Sequence, residues 1–376
     1  MKRLLSIPLL LFSFASSYAQ KKIPVYKSNT ANISILDGKD FKANSWTISP
    51  QVKPDVYTTS NRKVAFYTDL DTIIYNLKPN NNYDFYIILK GKDSALTRIT
   101  CIPSYLEKLK SGSQYNLQDN RFVPAFTYQS KEDEHLKRIR KDLNLDSVAG
   151  TGNEVSQMIN LLHFVHDVIR HNGNSNNPTL QNAIDIIKVC QEQQRGVNCR
   201  MMATVLNECY LAMGFKSRFV TCMPRELKFD DCHVINMVYS TELKKWLWMD
   251  PTFNAYVMNE KGDLLGIEEV RERLIKEQPL ILNPDANWNR KSSQTKEGYL
   301  KTYMAKNLYR LECPVASTYN TETTVEGKAM TYIQLIPLNA VNQSPQKSEQ
   351  RNEETKMTWT NYLTNNPKLF WASPEG

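Results

Sequence analysis

The chain has 376 residues, of which 41% are hydrophobic and 23% charged, which excludes a disordered tail or a membrane bundle and leaves room for two or three domains with buried cores. Its 13 glycines and 17 prolines exclude collagen-like and Gly/Pro low-complexity material. A net charge of +8 diluted over this length does not argue for a nucleic-acid partner.

At the start, Lys2 and Arg3 precede an apolar run from Leu4 to Ala15, and Ser17-Tyr18-Ala19 follows. That pattern predicts a cleavable signal peptide over residues 1–19, and with it an exported protein, periplasmic or secreted. The run is shorter than a spanning helix needs, and no later stretch is long and apolar enough, so no integral membrane segment is expected. In an oxidising compartment the cysteines can form bridges, but there are 7 of them, so one stays unpaired or pairs with another molecule. Cys222 and Cys232 flank a loop between two predicted strands, which makes a disulfide there an expectation.

Residues 20–110 read as a small antiparallel β-sandwich. Val64 and Phe66, then Ile73, Tyr75 and Leu77, then Tyr83, Phe85, Ile87 and Leu89 alternate with polar residues, the period of half-buried strands. The Pro79-Asn80-Asn81-Asn82 turn predicts that Thr72–Leu77 and Tyr83–Leu89 pair as a hairpin. Nothing here has catalytic spacing, so a packing role and a binding face stay open. Residues 111–153 read as a polar linker, in which Lys131–Arg140 is a solvated helix face.

The next domain spans 154–313. Met158, Leu161, Leu162, Val165 and Ile169 recur at helical spacing and stop at His171-Asn172-Gly173; a second helix covers Leu180 to Gln191. A third carries Met201, Met202, Val205, Leu206, Tyr210 and Leu211 and ends at Gly214, with its start near Asn198-Cys199. Phe215–Cys222, Cys232–Tyr239 and Trp246–Met249 follow as strands of a sheet packed on that helix, an α+β architecture. Helix returns around Gly266–Lys276. Residues 314–376 supply a strand at Thr331–Ile336 and a polar stretch, Val341 to Thr355, read as flexible, before Trp359, Phe370 and Trp371 dock back.

A thiol is nucleophilic as the thiolate, so it needs a helix N-terminus and a nearby imidazole. Cys199 has the first, and the free N–H groups of that helical turn can also receive an acyl oxyanion. His233, in Asp231-Cys232-His233-Val234-Ile235-Asn236, heads an apolar strand, and Asp250, in Trp248-Met249-Asp250-Pro251, ends the next. Adjacent antiparallel strands bring the carboxylate beside the imidazole, whose tautomer it can hold. His163, His166 and His171 invite a metal reading, but no Cys or carboxylate cluster accompanies them at zinc spacing; they are better read as surface or packing residues. No metal or cofactor is called for.

In this order, Gly196-Val197-Asn198-Cys199-Arg200, the helix to Gly214-Phe215, Ser217-Arg218-Phe219-Val220, His233-Val234-Ile235-Asn236 and Trp248-Met249-Asp250-Pro251 resemble the transglutaminase-like superfamily over about Val155 to Ile275. The resemblance implies an α+β, papain-like core with Cys199 as nucleophile, His233 as general base and acid, and Asp250 as orienter, acting through a thioester. By analogy with that core, Gln193 is the candidate side-chain oxyanion donor. The implied substrate is a peptide or protein amide, glycosylated or not, cleaved by water. Amine-dependent cross-linking shares the site, and a non-catalytic peptide- or glycan-binding protein on the same fold is the reading from another class.

Overall fold

The computed structural model describes residues 22–374, so the expected signal peptide lies outside the described residues. The chain divides into two compact units, one ending at Ser104 and the other beginning at Tyr105.

The first unit is a β-sandwich. Its strands are β1 (Val25–Ser28), β2 (Asn32–Asp37), β3 (Asp40–Thr47), β4 (Asp55–Thr59), β5 (Lys63–Tyr67), β6 (Thr72–Asn76), β7 (Asn81–Leu89) and β8 (Asp93–Cys101). They form two four-stranded sheets, ordered β1-β7-β8-β4 and β3-β2-β5-β6. Inward residues of both, among them Ile35, Val64, Phe66, Phe85, Ile87 and Ile99, make one core, as alternation requires when two sheets face each other. The expected hairpin does not form. β6 pairs with β5, whereas β7 pairs with β8, because Lys90 and Gly91 both take positive φ (51° and 66°) and reverse the chain tightly there. The Pro79–Asn82 turn instead carries the chain from one sheet to the other.

The second unit is built on a seven-stranded sheet. Its members are β9 (Ser217–Met223), β10 (His233–Ser240), β11 (Lys245–Met249), β12 (Arg310–Pro314), β13 (Ala329–Leu335), β14 (Lys347–Arg351) and β15 (Thr358–Thr364), in the order β11-β10-β9-β12-β13-β15-β14. Helices α1 (Glu134–Asp142), α2 (Leu145–Ala149), α3 (Glu154–Val168), α4 (Ala183–Glu192) and α5 (Cys199–Met213) cover one face. On the other face pack α6 (Ile267–Ile275) and a π-helix, Glu297–Met304. With both faces covered, every residue of β10 is buried, which is why it reads as a nearly continuous apolar run.

Two expectations are corrected here. The 111–153 segment is more than a linker: Leu136, Ile139, Leu145 and Ala149 sit in the same core as Met158, Val205 and Leu206. The stretch read as flexible contains β14, an edge strand paired with β15. Its Lys347-Ser348-Glu349-Gln350-Arg351 sequence has no apolar period because an edge strand needs charge rather than burial.

Helix α5 is the central element, buried along almost its whole length. Asn198 caps it by accepting from the Met201 N–H at 3.1 Å. Gly214, at φ 92°, ends it in the left-handed conformation, and the Phe215 N–H then reaches back to the Tyr210 carbonyl at 2.9 Å.

Candidate functional site

Cys199 is the first residue of α5, where backbone N–H groups lack helical partners. The chain reaches it through Gly196, where a Cβ would lie 2.5 Å from the Arg170 carbonyl oxygen. Only glycine permits that approach. Because of it, residues 170–172 and 196–197 run side by side: the Val197 N–H donates to Arg170 O at 3.0 Å and the Asn172 N–H to Val197 O at 2.7 Å. His171 and Val197 bridge in parallel, which sets His171 beside the nucleophile segment.

His233 opens β10, and Asp250 follows β11. The register pairs Asn236 with Met249, so Asp250 falls opposite Ile235, two residues from His233 and on the same face. His233 Nε2 donates to Asp250 Oδ2 at 2.7 Å, since a carboxylate only accepts. The same oxygen accepts from the Tyr299 hydroxyl at 2.6 Å, and Oδ1 accepts from the Thr252 N–H at 2.9 Å. Both side chains are buried, to 1% and 0% exposure. The rings of Phe253 and Tyr303 stand over the imidazole, with centroids 5.5 and 5.2 Å away. Tyr299 and Tyr303, one turn apart on the π-helix, thus hold and shield the pair, in a helix type frequent at functional sites.

His233 Nδ1, the ring nitrogen not engaged by Asp250, is buried, and charge and hydrogen bonding couple the His233 ring to the Cys199 thiol. Burial opposes ionisation of the thiol. Hydrogen bonding from His171 and His233, the charge of His233 and the Val234 N–H outweigh it and bring Cys199 down to about 6. Burial likewise opposes charge on His233, but Asp250 and then Cys199 push it up to about 10. The two shifts agree in direction, each favouring the charged form, a thiolate beside an imidazolium. The contrast with other thiols is sharp, since burial pushes Cys190, Cys209, Cys222, Cys232 and Cys313 upward.

His171 is one of the residues that sequence reasoning missed. The Trp288 indole N–H, which can only donate, gives a hydrogen bond to His171 Nδ1 at 3.2 Å. The imidazole proton therefore sits on Nε2, the nitrogen left to meet Cys199. Asn289 pins the same residue's backbone from both sides, accepting from its N–H at 2.7 Å and donating to its carbonyl at 2.9 Å. His171 was read as a surface or packing residue because its partners come from a distant loop. His166 does pack: buried, it bonds Pro251 O and Asn287 Oδ1, each at 2.9 Å.

The structure brings Cys199, His233 and Asp250 together and leaves Gln193 out. Gln193 caps the end of α4 and is exposed, and its Oε1 accepts from Arg195 Nε at 2.8 Å. The expected Cys222–Cys232 disulfide is absent, and all seven cysteines are free. Cys222 lies directly opposite His233, so Cys232, one residue before, points to the other face. Among the described residues no group of His, Cys, Asp and Glu could hold a metal ion, and no helix is long and apolar enough to cross a membrane.

Residues 141–251 match the family model of the transglutaminase-like superfamily, and that segment, which holds Cys199, His233 and Asp250, is a domain of this superfamily. No curated protein matches the chain. Among solved structures it is similar to a "putative cysteine protease" from Cytophaga hutchinsonii (19% identity over 31% of this chain and 37% of that one, TM-score 0.25). A "putative protease" from Parabacteroides distasonis is 15% identical over 50% of this chain and 35% of that one, with a TM-score of 0.22. Red sea bream transglutaminase is 12% identical over 55% of this chain and 40% of that one, with a TM-score of 0.24. The chain thus spans well under half the length of each.

Proposed function

We propose that the protein is an exported thiol acyl-transfer enzyme that hydrolyses amide bonds of peptides or proteins. The observation that carries this reading is the buried Cys199–His233–Asp250 line, with the thiol brought down to about 6 and the imidazole pushed up to about 10. The Cys199 thiolate attacks the amide carbonyl, forming a C–S bond. The oxyanion receives the free N–H groups at the start of α5 and the Nε2–H of His171, whose tautomer Trp288 holds. His233, oriented by Asp250, gives its proton to the leaving nitrogen as the C–N bond breaks. It then takes a proton from water as the water oxygen attacks the thioester carbonyl; the C–S bond breaks, the acyl group leaves as the acid, and Cys199 returns as the thiolate beside the protonated imidazole. Export is supported by the leader pattern of residues 1–19.

The test is limiting iodoacetamide on the non-reduced protein between pH 5.5 and 8.5, with each cysteine followed by peptide mass spectrometry. Fast labelling of Cys199 already below pH 7 is the expected result. Labelling no faster than that of Cys232, or a Cys199 found in a disulfide, would favour a binding protein on the same fold. Ammonia release that requires an added primary amine would make cross-linking the reaction instead.

A further inference from the structure

An open cleft of about 600 Å³ adjoins His171 and Trp288, and Arg170, Arg195 and Lys291 also line it, with no carboxylate among its lining residues. The two guanidinium groups are held by neutral acceptors. Arg170 donates to Gln194 O at 2.7 Å, and Arg195 donates to Asn176 O and to Gln193 Oε1, each at 2.8 Å. Carbonyl dipoles orient these groups without cancelling their charge. By contrast, Arg98, Arg140, Arg200 and Arg273 are each neutralised by an acid, Asp84, Asp146, Glu322 and Glu260. Three uncancelled cations around one concavity raise the local concentration of anions there, and planar guanidinium groups match carboxylates in shape.

The cleft is also continuous with the chemistry, because His171 belongs both to its wall and to the surroundings of the Cys199 thiol. Asn172 and Asn174 add amides able to pair with peptide groups along the same wall.

We propose that this cleft selects an acidic peptide segment, seating Asp or Glu side chains against Arg170, Arg195 and Lys291 on one side of the amide presented to Cys199. The inference rests on the thiol-enzyme reading for what lies at the end of the cleft, but its test does not depend on turnover.

The experiment uses the full chain carrying Cys199→Ala and measures fluorescence anisotropy with three labelled peptides of equal length: Glu/Asp-rich, neutral and Lys-rich. The acidic peptide should bind roughly tenfold tighter than the neutral one and the Lys-rich one most weakly, with the preference shrinking as salt rises. Arg195→Glu with Lys291→Glu should erase the preference. Lys291→Glu alone, at an exposed position, should reduce it and guards against misfolding of the double variant. Equal affinity for acidic and neutral peptides overturns the inference, as does binding of inorganic polyphosphate as tight as that of the acidic peptide. A protein whose Cys199 alkylates fast yet shows no acidic preference loses this inference and keeps the thiol chemistry.

Discussion

The two units bury polarity in different ways. In the sandwich, Asp37 is the buried carboxylate among the described residues, and it is fully occupied by Tyr57, Thr59 and Asn61 donors at 2.9, 2.6 and 3.1 Å. The second unit buries Glu208, Arg218, His233, Asp250, Arg271 and Arg310, each of which is costly to desolvate. Burial alone does not mark function there. Glu208 is pushed up to about 8 by its burial, so the neutral form is favoured, and it accepts from the Ala183 and Asn320 N–H groups at 2.7 Å each. At Cys199 and His233 burial loses and the charged forms win. The direction of the shift, more than depth in the core, separates a structural acid from a reactive pair.

The sharpest way to test that separation is to damage one unit and read the other. Phe85→Ala, in the sandwich core at 0% exposure, should cost about 3–5 kcal/mol of that unit's stability in urea unfolding. The pH profile of Cys199 alkylation should be unchanged; a shifted profile would mean the reactive pair depends on the sandwich. His233→Ala comes next. Without the imidazolium, burial pushes the thiol above its ordinary range, so thiolate at pH 7 and the alkylation rate should fall by roughly 100-fold. Glu208→Gln should leave that rate alone. In the unmodified protein the thiolate exists above about 6 and the imidazolium below about 10, so the rate should rise through pH 6 and hold a plateau until His233 deprotonates. A rise only near pH 8–9 would show that no ion pair forms.

Smallest is Tyr299→Phe. It removes one of the two donors to Asp250 Oδ2, a loss of about 1 kcal/mol, or several-fold in turnover, with thiol alkylation nearly unchanged. A complete loss of activity would give Tyr299 more than a positioning role.

How much of this was legible in the sequence follows from how local each feature is. Cys199 could be placed because an Asn cap, an apolar stripe and a C-terminal Gly define α5 within its own residues. His233 and Asp250 could be placed because strand alternation sets their face. His171 could not, since Trp288 and Asn289 hold it from a loop far along the chain. Tyr299 and Tyr303 were hidden likewise, in a segment whose π-helical turn brings them onto Asp250 and His233. The hairpin lies elsewhere because the Pro79–Asn82 turn joins strands of two different sheets, whereas the tighter Lys90-Gly91 turn joins paired ones. Gln193 was chosen by spacing alone, and spacing says nothing of which way the end of α4 turns a side chain.

Arg218 lies on β9, near the middle of the sheet, with its guanidinium 3.6 Å from the Phe126 ring centroid and 4.7 Å from that of Trp246. It donates to the Phe370 carbonyl at 3.2 Å, and the Trp246 indole N–H reaches the carbonyls of Trp371 and Ala372. During synthesis from the N-terminus, the strands bearing His233 and Asp250 emerge long before those residues. Until they arrive, the Arg218 guanidinium has the Phe126 and Trp246 rings beside it but lacks its carbonyl acceptor, and the packing around it is incomplete. The sheet that carries His233 and Asp250 is therefore completed only after residues 370–372 have been made, long after the segment that holds Cys199.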